Sequence, residues 1–159
     1  MLIKWKKWKE KRSDLSLVIC APPYSKDWFQ TDISELKDVQ WLGSLSPKEL
    51  REQQSKSEYW IYASDYLETY CLTALEMMLQ KVKIITNGAG NIKNLIGDGE
   101  RGIMIDEINP DLILEYLVGD IKSKLLSYRW GGMTEKAYEW AKEQSWDNRV
   151  KEWIKLIQE

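Results

Sequence analysis

The sequence predicts an α/β fold, an open parallel sheet flanked by helices that ends in a helical tail. Three observations carry this. Five short apolar runs alternate with helical patterns. The runs are near-continuous rather than alternating, as strands covered on both faces are. After residue 120 the pattern is helical throughout.

Taken in order, Leu2, Trp5 and Trp8 fall at i, i+3, i+6 with lysines on the other face. This predicts an amphipathic surface helix. A membrane-surface helix anchored by tryptophans is the competing reading. Strand-like residues follow at once and need a helix to cover them, which favours the first. Strands are predicted at Leu15–Ala21, Val39–Leu42, Tyr59–Ala63, Val82–Thr86 and Gly102–Ile105. Ser46, Pro47 and Glu49 form a capping box with proline at the first helical position, opening a helix to about Ser55. A helix from about Tyr70 to Gln80 places Leu72, Leu75 and Leu79 at core spacing. Asn109-Pro110-Asp111 starts another, running to about Val118. Val150, Trp153, Ile154 and Ile157 recur at i, i+3, i+4, i+7 along the last helix, with Trp146 one turn earlier. Segments 87–91 and 97–99 read as loops. Repeated β-α units of this kind make a doubly wound, Rossmann-like sheet, here in one domain spanning 1–159.

Composition removes several functions. Lys plus Arg is 23 and Asp plus Glu is 25, a net charge of −2. That balance supplies no electrostatic footprint for nucleic acid. There is no histidine, which excludes a histidine base, a Ser-His-Asp triad and any histidine-containing zinc site. Cys20 and Cys71 form no C-x-x-C pair, so reduced thiols in a cytoplasmic setting are expected. No apolar run has the length of a transmembrane helix, and the basic N-terminus lacks a signal peptide's apolar stretch. Asp65 and Asp98 read as solvated loop acids, with no metal-ligand spacing around them.

Open α/β sheets bind ligands at the carboxyl ends of their strands. The loops to inspect are therefore 20–26, 42–46, 64–70 and 87–91. In the third, Glu68 sits at the strand's end and Glu76 about two turns into the next helix, an E-x7-E spacing. Amides around Tyr70, Cys71 and Leu72 would open that helix, and such an end suits a phosphate or diphosphate. A carboxylate accepts from paired sugar hydroxyls. A nucleotide-sugar would use both features. Spacing alone is weak, because two glutamates eight apart are common on helices and Glu68 could be a helix-start carboxylate only. Cys71 as nucleophile would need a base; a packed or backbone-contributing cysteine is favoured. Gly88-Ala89-Gly90 lacks the third glycine and the ribose-binding acid of a dinucleotide fingerprint. Trp5, Trp8, Trp140 and Trp153 fall on core spacing, whereas Trp28 and Trp130 read as loop residues open to a partner.

The stretch Glu68-Thr-Tyr-Cys-Leu-Thr-Ala-Leu-Glu76-Met resembles the E-x7-E segment of retaining nucleotide-sugar glycosyltransferases of the two-domain GT-B architecture, viral and environmental members in particular. The resemblance extends along the chain. Val39–Leu50 is similar to that family's strand, glycine turn and capped helix. Ser57–Ser64 is similar to its x-D-x-x-x-x-P-S strand, Thr86–Ile105 to its Gly-rich loop and D-G-x-x-G segment, and Ser145–Trp153 to its terminal W-D helix. It implies the C-terminal, donor-binding half of such an enzyme. Glu68 would then contact the transferred sugar beside the reacting carbon, as the catalytic carboxylate. Glu76 would hold the ribose diol. Backbone at Tyr70, Cys71 and Leu72 would meet the diphosphate and sugar, and the turn at Trp41, Leu42 and Gly43 would face the base. Retaining transfer of a hexose to a glycan or other hydroxyl acceptor, without metal or cofactor, is implied with it.

The chain also departs from that pattern. Lys93-Asn94 stands where Pro-Glu is usual, and Glu58 where Asp is. The resemblance begins inside or just before the domain's first helix, so the first strand, the Arg and Lys diphosphate clamp and the acceptor domain are expected to be absent. In the 3-2-1-4-5-6 order that first strand is central. Its absence would part the strands near 15–42 from the strand near 59–63. A fragment of a longer product, a separate chain carrying the N-terminal half, and rearrangement or self-association are the three outcomes. A non-catalytic nucleotide-binding or interaction module derived from such an enzyme is the alternative function.

Overall fold

The computed structural model describes residues 5–22, 33–105, 110–122 and 124–158. In chain order the elements are α1 (Trp5–Lys11), β1 (Leu17–Ile19), a 3-10 turn (Ile33–Glu35), β2 (Val39–Trp41), α2 (Pro47–Ser55), β3 (Tyr59–Tyr62), α3 (Leu72–Leu79), β4 (Lys83–Thr86), α4 (Ile92–Leu95), a 3-10 turn (Gly97–Gly99), β5 (Ile103–Met104), α5 (Pro110–Lys122), α6 (Lys124–Glu143) and α7 (Trp146–Gln158). This is the predicted α/β fold, with parallel strands flanked by helices and a helical end. Leu2, Trp28 and Asn109, which the sequence singled out, lie outside the described residues.

The chain divides into two units, Met1–Gln53 with Asn109–Lys122, and Gln54–Ile108 with Ser123–Glu159. The strands correspondingly form two parallel ladders, β1-β2 and β3-β4-β5, so that those near 15–42 are parted from the one near 59–63. Apolar runs identify strands but not their hydrogen-bonded neighbours.

In the first unit, β1 pairs with β2 in parallel, Leu17 opposite Val39 and Ile19 opposite Trp41. Helix α1 buries Trp5 and Trp8 and exposes Lys6 and Lys7, the predicted amphipathic arrangement. The two rings pack at 6.3 Å and 54°. Trp5 Nε1 donates to the Lys37 carbonyl at 2.7 Å, which satisfies its polar edge inside an apolar contact. Arg12, just past α1, is buried and donates to both carboxylate oxygens of Asp14 (2.8 and 2.7 Å) and to the Leu117 carbonyl on α5. The guanidinium holds the Asp14 carboxyl down at about 2. The capping box forms as predicted. Glu49 N–H donates to Ser46 Oγ at 3.4 Å, and Glu49 Oε2 accepts from Ser46 N–H at 2.9 Å.

In the second unit, β3 and β4 pair from Tyr59↔Lys83 to Tyr62↔Thr86, and β4 pairs with β5 through Ile85↔Ile103 and Thr86↔Met104, all parallel. Its core joins Ala74, Leu75, Met77 and Met78 of α3 to Ile84 of β4, Ile92 and Leu95 of α4, and Ala137 and Ala141 of α6. Three alanines at this contact let the helix backbones approach closely. Leu75 is buried as expected, but Leu72 (62 % exposed) and Leu79 (41 %) are not. Leucine spacing placed the apolar stripe correctly at Leu75 and missed its centre, which alanine and methionine occupy.

Two tryptophan expectations are corrected. Trp130 lies in α6, not a loop. It is 1 % exposed and packs edge-on to Tyr59 at 6.2 Å and 79°, so it is not free for a partner. The spacing of Trp153 predicts a core position, but it is 67 % exposed, and Trp146, Val150, Ile154 and Ile157 are exposed along the same helix. Periodicity shows that α7 is amphipathic, not that something covers it. Trp140 packs partly buried against the core, with the Arg101 guanidinium 4.4 Å from its ring centre. Among the described residues no helix is long and apolar enough to cross a membrane.

Candidate functional site

The site grows from the loops that follow β3 and β4. Asn87, just past β4, binds Ser64, just past β3. Its Nδ2 donates to the Ser64 carbonyl at 2.8 Å, and Ser64 N–H donates back to Oδ1 at 3.3 Å. Four residues further along the first loop, Glu68 makes an isolated parallel bridge with Gly90, and Asn91 N–H donates to the Glu68 carbonyl at 2.8 Å. Glu68 is thereby fastened at the carboxyl ends of two parallel strands, where an α/β sheet presents its ligand. Gly90 has φ +65°, and a Cβ there would stand 2.5 Å from the Glu68 carbonyl oxygen. Only glycine meets both demands.

The Glu68 side chain is oriented from the sheet. Tyr62, the last residue of β3, donates its hydroxyl to Glu68 Oε1 at 2.8 Å. Burial first, and then this carboxylate, push the phenol up to about 12, so it stays a donor through the neutral range. The sequence marks Tyr62 only as part of a strand. Its place at the strand's last position, facing the loop, is what gives it a role.

Helix α3 begins at Leu72, two residues later than predicted, with Cys71 in an extended N-cap conformation (φ −83°, ψ 94°). The amides at this opening are those of Leu72 and Thr73, of which the Thr73 N–H faces the Cys71 thiol, while Ala74 N–H donates to the Cys71 carbonyl at 3.1 Å. The Cys71 thiol is buried, and burial raises its pKa. It is a packed thiol rather than a nucleophile. Tyr70 and Leu72 are exposed at this end of the helix. With Leu75, Gln144, Trp146, Arg149 and Trp153 they line an open cavity of about 430 Å³. Arg149 there is engaged by Glu152 (2.7 Å) and by Gln144.

Glu76 lies in the second turn of α3 and is half-buried. Its Oε2 accepts from Gln54 Nε2 at 2.8 Å. Gln54 is buried at the end of α2, and the sequence offered only a weak signal for it, one of two adjacent glutamines on a polar helix. Glu68, Tyr70, Cys71, Leu72 and Glu76 thus belong to one unit and surround the start of one helix. Trp41 and Leu42 belong to the other unit. There Trp41 closes β2, Leu42 N–H donates to the Ile19 carbonyl at 3.0 Å, and Gly43 turns the chain with φ +72°. Among the described residues no group of three or more Cys, Asp or Glu side chains is placed to hold a metal ion.

Chemically, then, the second unit presents two oriented carboxylates on either side of a helix start, Glu68 at the carboxyl ends of parallel strands and Glu76 in the second turn of α3. Residues 2–131 match the Glycosyl transferases group 1 family, and the chain belongs to that family. It is similar to the GDP-mannose-dependent alpha-mannosyltransferase of Corynebacterium glutamicum, 25 % identical over 133 residues, covering 80 % of this chain and 31 % of that protein. The chain therefore spans about a third of the length of that curated relative. Among solved structures it resembles a chain of the GtfA/B complex (TM-score 0.71, 19 % identity, covering 99 % of this chain and 32 % of that one). It also resembles the C-terminal domain of the glycosyl transferase group 1 family protein LpcC from Francisella tularensis (TM-score 0.65, 20 % identity, 87 % and 73 % covered). These likenesses establish the fold as that of a GT-B-like C-terminal domain.

Proposed function

We propose that this chain is the donor-binding half of a retaining glycosyltransferase that moves a hexose from a nucleoside-diphosphate sugar to a glycan or other hydroxyl acceptor. One observation carries the proposal: Glu68, fastened at the carboxyl ends of β3 and β4, and Glu76, in the second turn of α3, flank the start of that helix, each held by a buried or half-buried donor. Family membership supports it. Glu68 is assigned to the sugar hydroxyls and the charge that develops at the reacting carbon. Glu76 is assigned to the ribose diol, which a carboxylate accepts in pairs. The opening amides of α3 are assigned to the diphosphate, whose growing negative charge as a leaving group they would meet without a metal. Trp41 and Leu42 are assigned to the base. Acceptor binding falls to a separate N-terminal half or to a second copy of the chain. A cytoplasmic setting accords with two free thiols, Cys20 and Cys71.

Titration calorimetry of the 159-residue chain with GDP, UDP and their hexose conjugates tests this. The relative's GDP-mannose dependence makes GDP-mannose the first probe. The expected result is binding of one nucleotide that Glu76→Ala weakens at least about tenfold, the scale of a lost charged hydrogen bond. No binding by the folded chain overturns the proposal. With an acceptor half supplied, a product of inverted configuration overturns the assignment of retention.

A further inference from the structure

Gln54 stands in an unusual position for an amide. It is 1 % exposed, its Nε2 donates to Glu76 Oε2 at 2.8 Å, and its Oε1 is buried with no hydrogen-bond partner among the described residues. Exchanging the amide's oxygen and nitrogen gives no relief, because it would set a carbonyl lone pair against a carboxylate oxygen. The nitrogen must face Glu76, and the oxygen is left unsatisfied as a consequence. A buried acceptor without a donor destabilises a fold, whereas an apolar side chain of similar shape carries no such penalty. Packing therefore gives no reason for glutamine at this place, and the bond to Glu76 does.

That bond selects one geometry for a carboxylate that is only half-buried. A glutamate on an exposed helix face samples several rotamers, and each must be given up when a ligand is gripped. Gln54 removes that freedom before any ligand arrives, and it occupies one oxygen from the side away from solvent. The remaining lone pairs of Glu76 are left to accept from outside.

We infer that Gln54 is a positioning residue for the ribose diol, acting through Glu76 and maintained at the expense of local stability. This inference rests on the assignment of Glu76 to the ribose. It predicts a separation that no purely structural role would produce. Removing the amide should leave the fold unharmed or firmer while weakening binding only of ligands that carry the diol.

The test measures binding of the ribonucleoside diphosphate that the wild type prefers and of its 2′,3′-dideoxy analogue, to wild type, Gln54→Met, Gln54→Leu and Glu76→Gln, with thermal midpoints for each. The expected result is about tenfold weaker ribonucleotide binding by Gln54→Met, the scale of one charged hydrogen bond, with dideoxy binding unchanged and a midpoint no lower than wild type. Gln54→Leu should repeat that pattern. Equal weakening for both ligands, or weakening for neither, overturns the inference. So does a large fall in thermal midpoint for both apolar variants. A wild type that binds the two ligands equally overturns the assignment of Glu76 itself. In that case Glu76→Gln would also leave ribonucleotide binding unchanged.

Discussion

Gly90 and Glu68 lie so close along their backbones that no side chain fits between them. A Cβ at residue 90 would stand 2.5 Å from the Glu68 carbonyl oxygen and 2.6 Å from its nitrogen, with φ already at +65°. The loop that carries the candidate catalytic carboxylate is thus anchored to the loop after β4 by a contact only glycine permits.

Gly90→Ala should therefore destabilise the chain by about 1–3 kcal/mol, since strain from φ and the backbone clash act together. Thermal or urea denaturation measures it. Nucleotide-sugar affinity should fall further than nucleotide affinity, because Glu68 is displaced while Glu76, on α3, is not. Equal losses for the two ligands would contradict this placement.

Tyr62→Phe removes the donor to Glu68 and should cost about 1 kcal/mol at neutral pH. It should also change the alkaline limb of stability. The folded phenol is pushed up to about 12, above the unfolded value of about 10. The contribution is fully present below about pH 10 and is lost as pH rises through the folded value. Wild type should thus lose more stability than Tyr62→Phe between those limits. Urea midpoints at pH 8, 10 and 11 give the comparison, with the other tyrosines and the lysines cancelling in the difference.

Arg101 donates to the carbonyls of Leu95 (2.8 Å) and Asn94 (2.9 Å) at the end of α4 and stacks its guanidinium on Trp140. Arg101→Ala should cost about 1–3 kcal/mol, from lost charged hydrogen bonds and lost stacking. Arg101→Lys should recover little, because an ammonium cannot fork between two carbonyls and lie flat on a ring. Denaturation midpoints of the three proteins decide it.

Two tryptophans with the same apparent helical patterning should behave oppositely. Trp8→Ala, at a fully buried site, should cost about 3–5 kcal/mol. Trp153→Ala, on the open face of α7, should change stability by less than about 1 kcal/mol. A loss at Trp153 comparable with that at Trp8 would mean that α7 is covered in solution, and its dependence on protein concentration would show whether by another copy.

The local elements were legible because local chemistry sets them. The capping box at Ser46 and Glu49 specifies a helix start, and the β-branched run Val82–Thr86 specifies a strand, with little help from elsewhere. Within the site, the E-x7-E spacing located both glutamates. It could not reveal their donors. Tyr62 precedes Glu68 by six positions and Gln54 precedes Glu76 by 22. In each pair the two residues belong to different elements, β3 and the loop after it, α2 and α3, so each contact exists only once the strand, loop and helices are stacked.

By itself the sequence determined the five strands and the longer helices in their order, though not the short α4 or the 3-10 turns, together with the lack of histidine and the two carboxylates around the start of α3. Tertiary structure decided which faces are covered. It sent Leu72, Leu79 and Trp153 outward and Trp130 inward. The reason is physical. Propensity, capping and periodicity are properties of neighbours along the chain, whereas burial and ladder pairing are properties of neighbours in space. An apolar face states only that burial would be favourable, and the arrangement of the other elements determines whether it occurs.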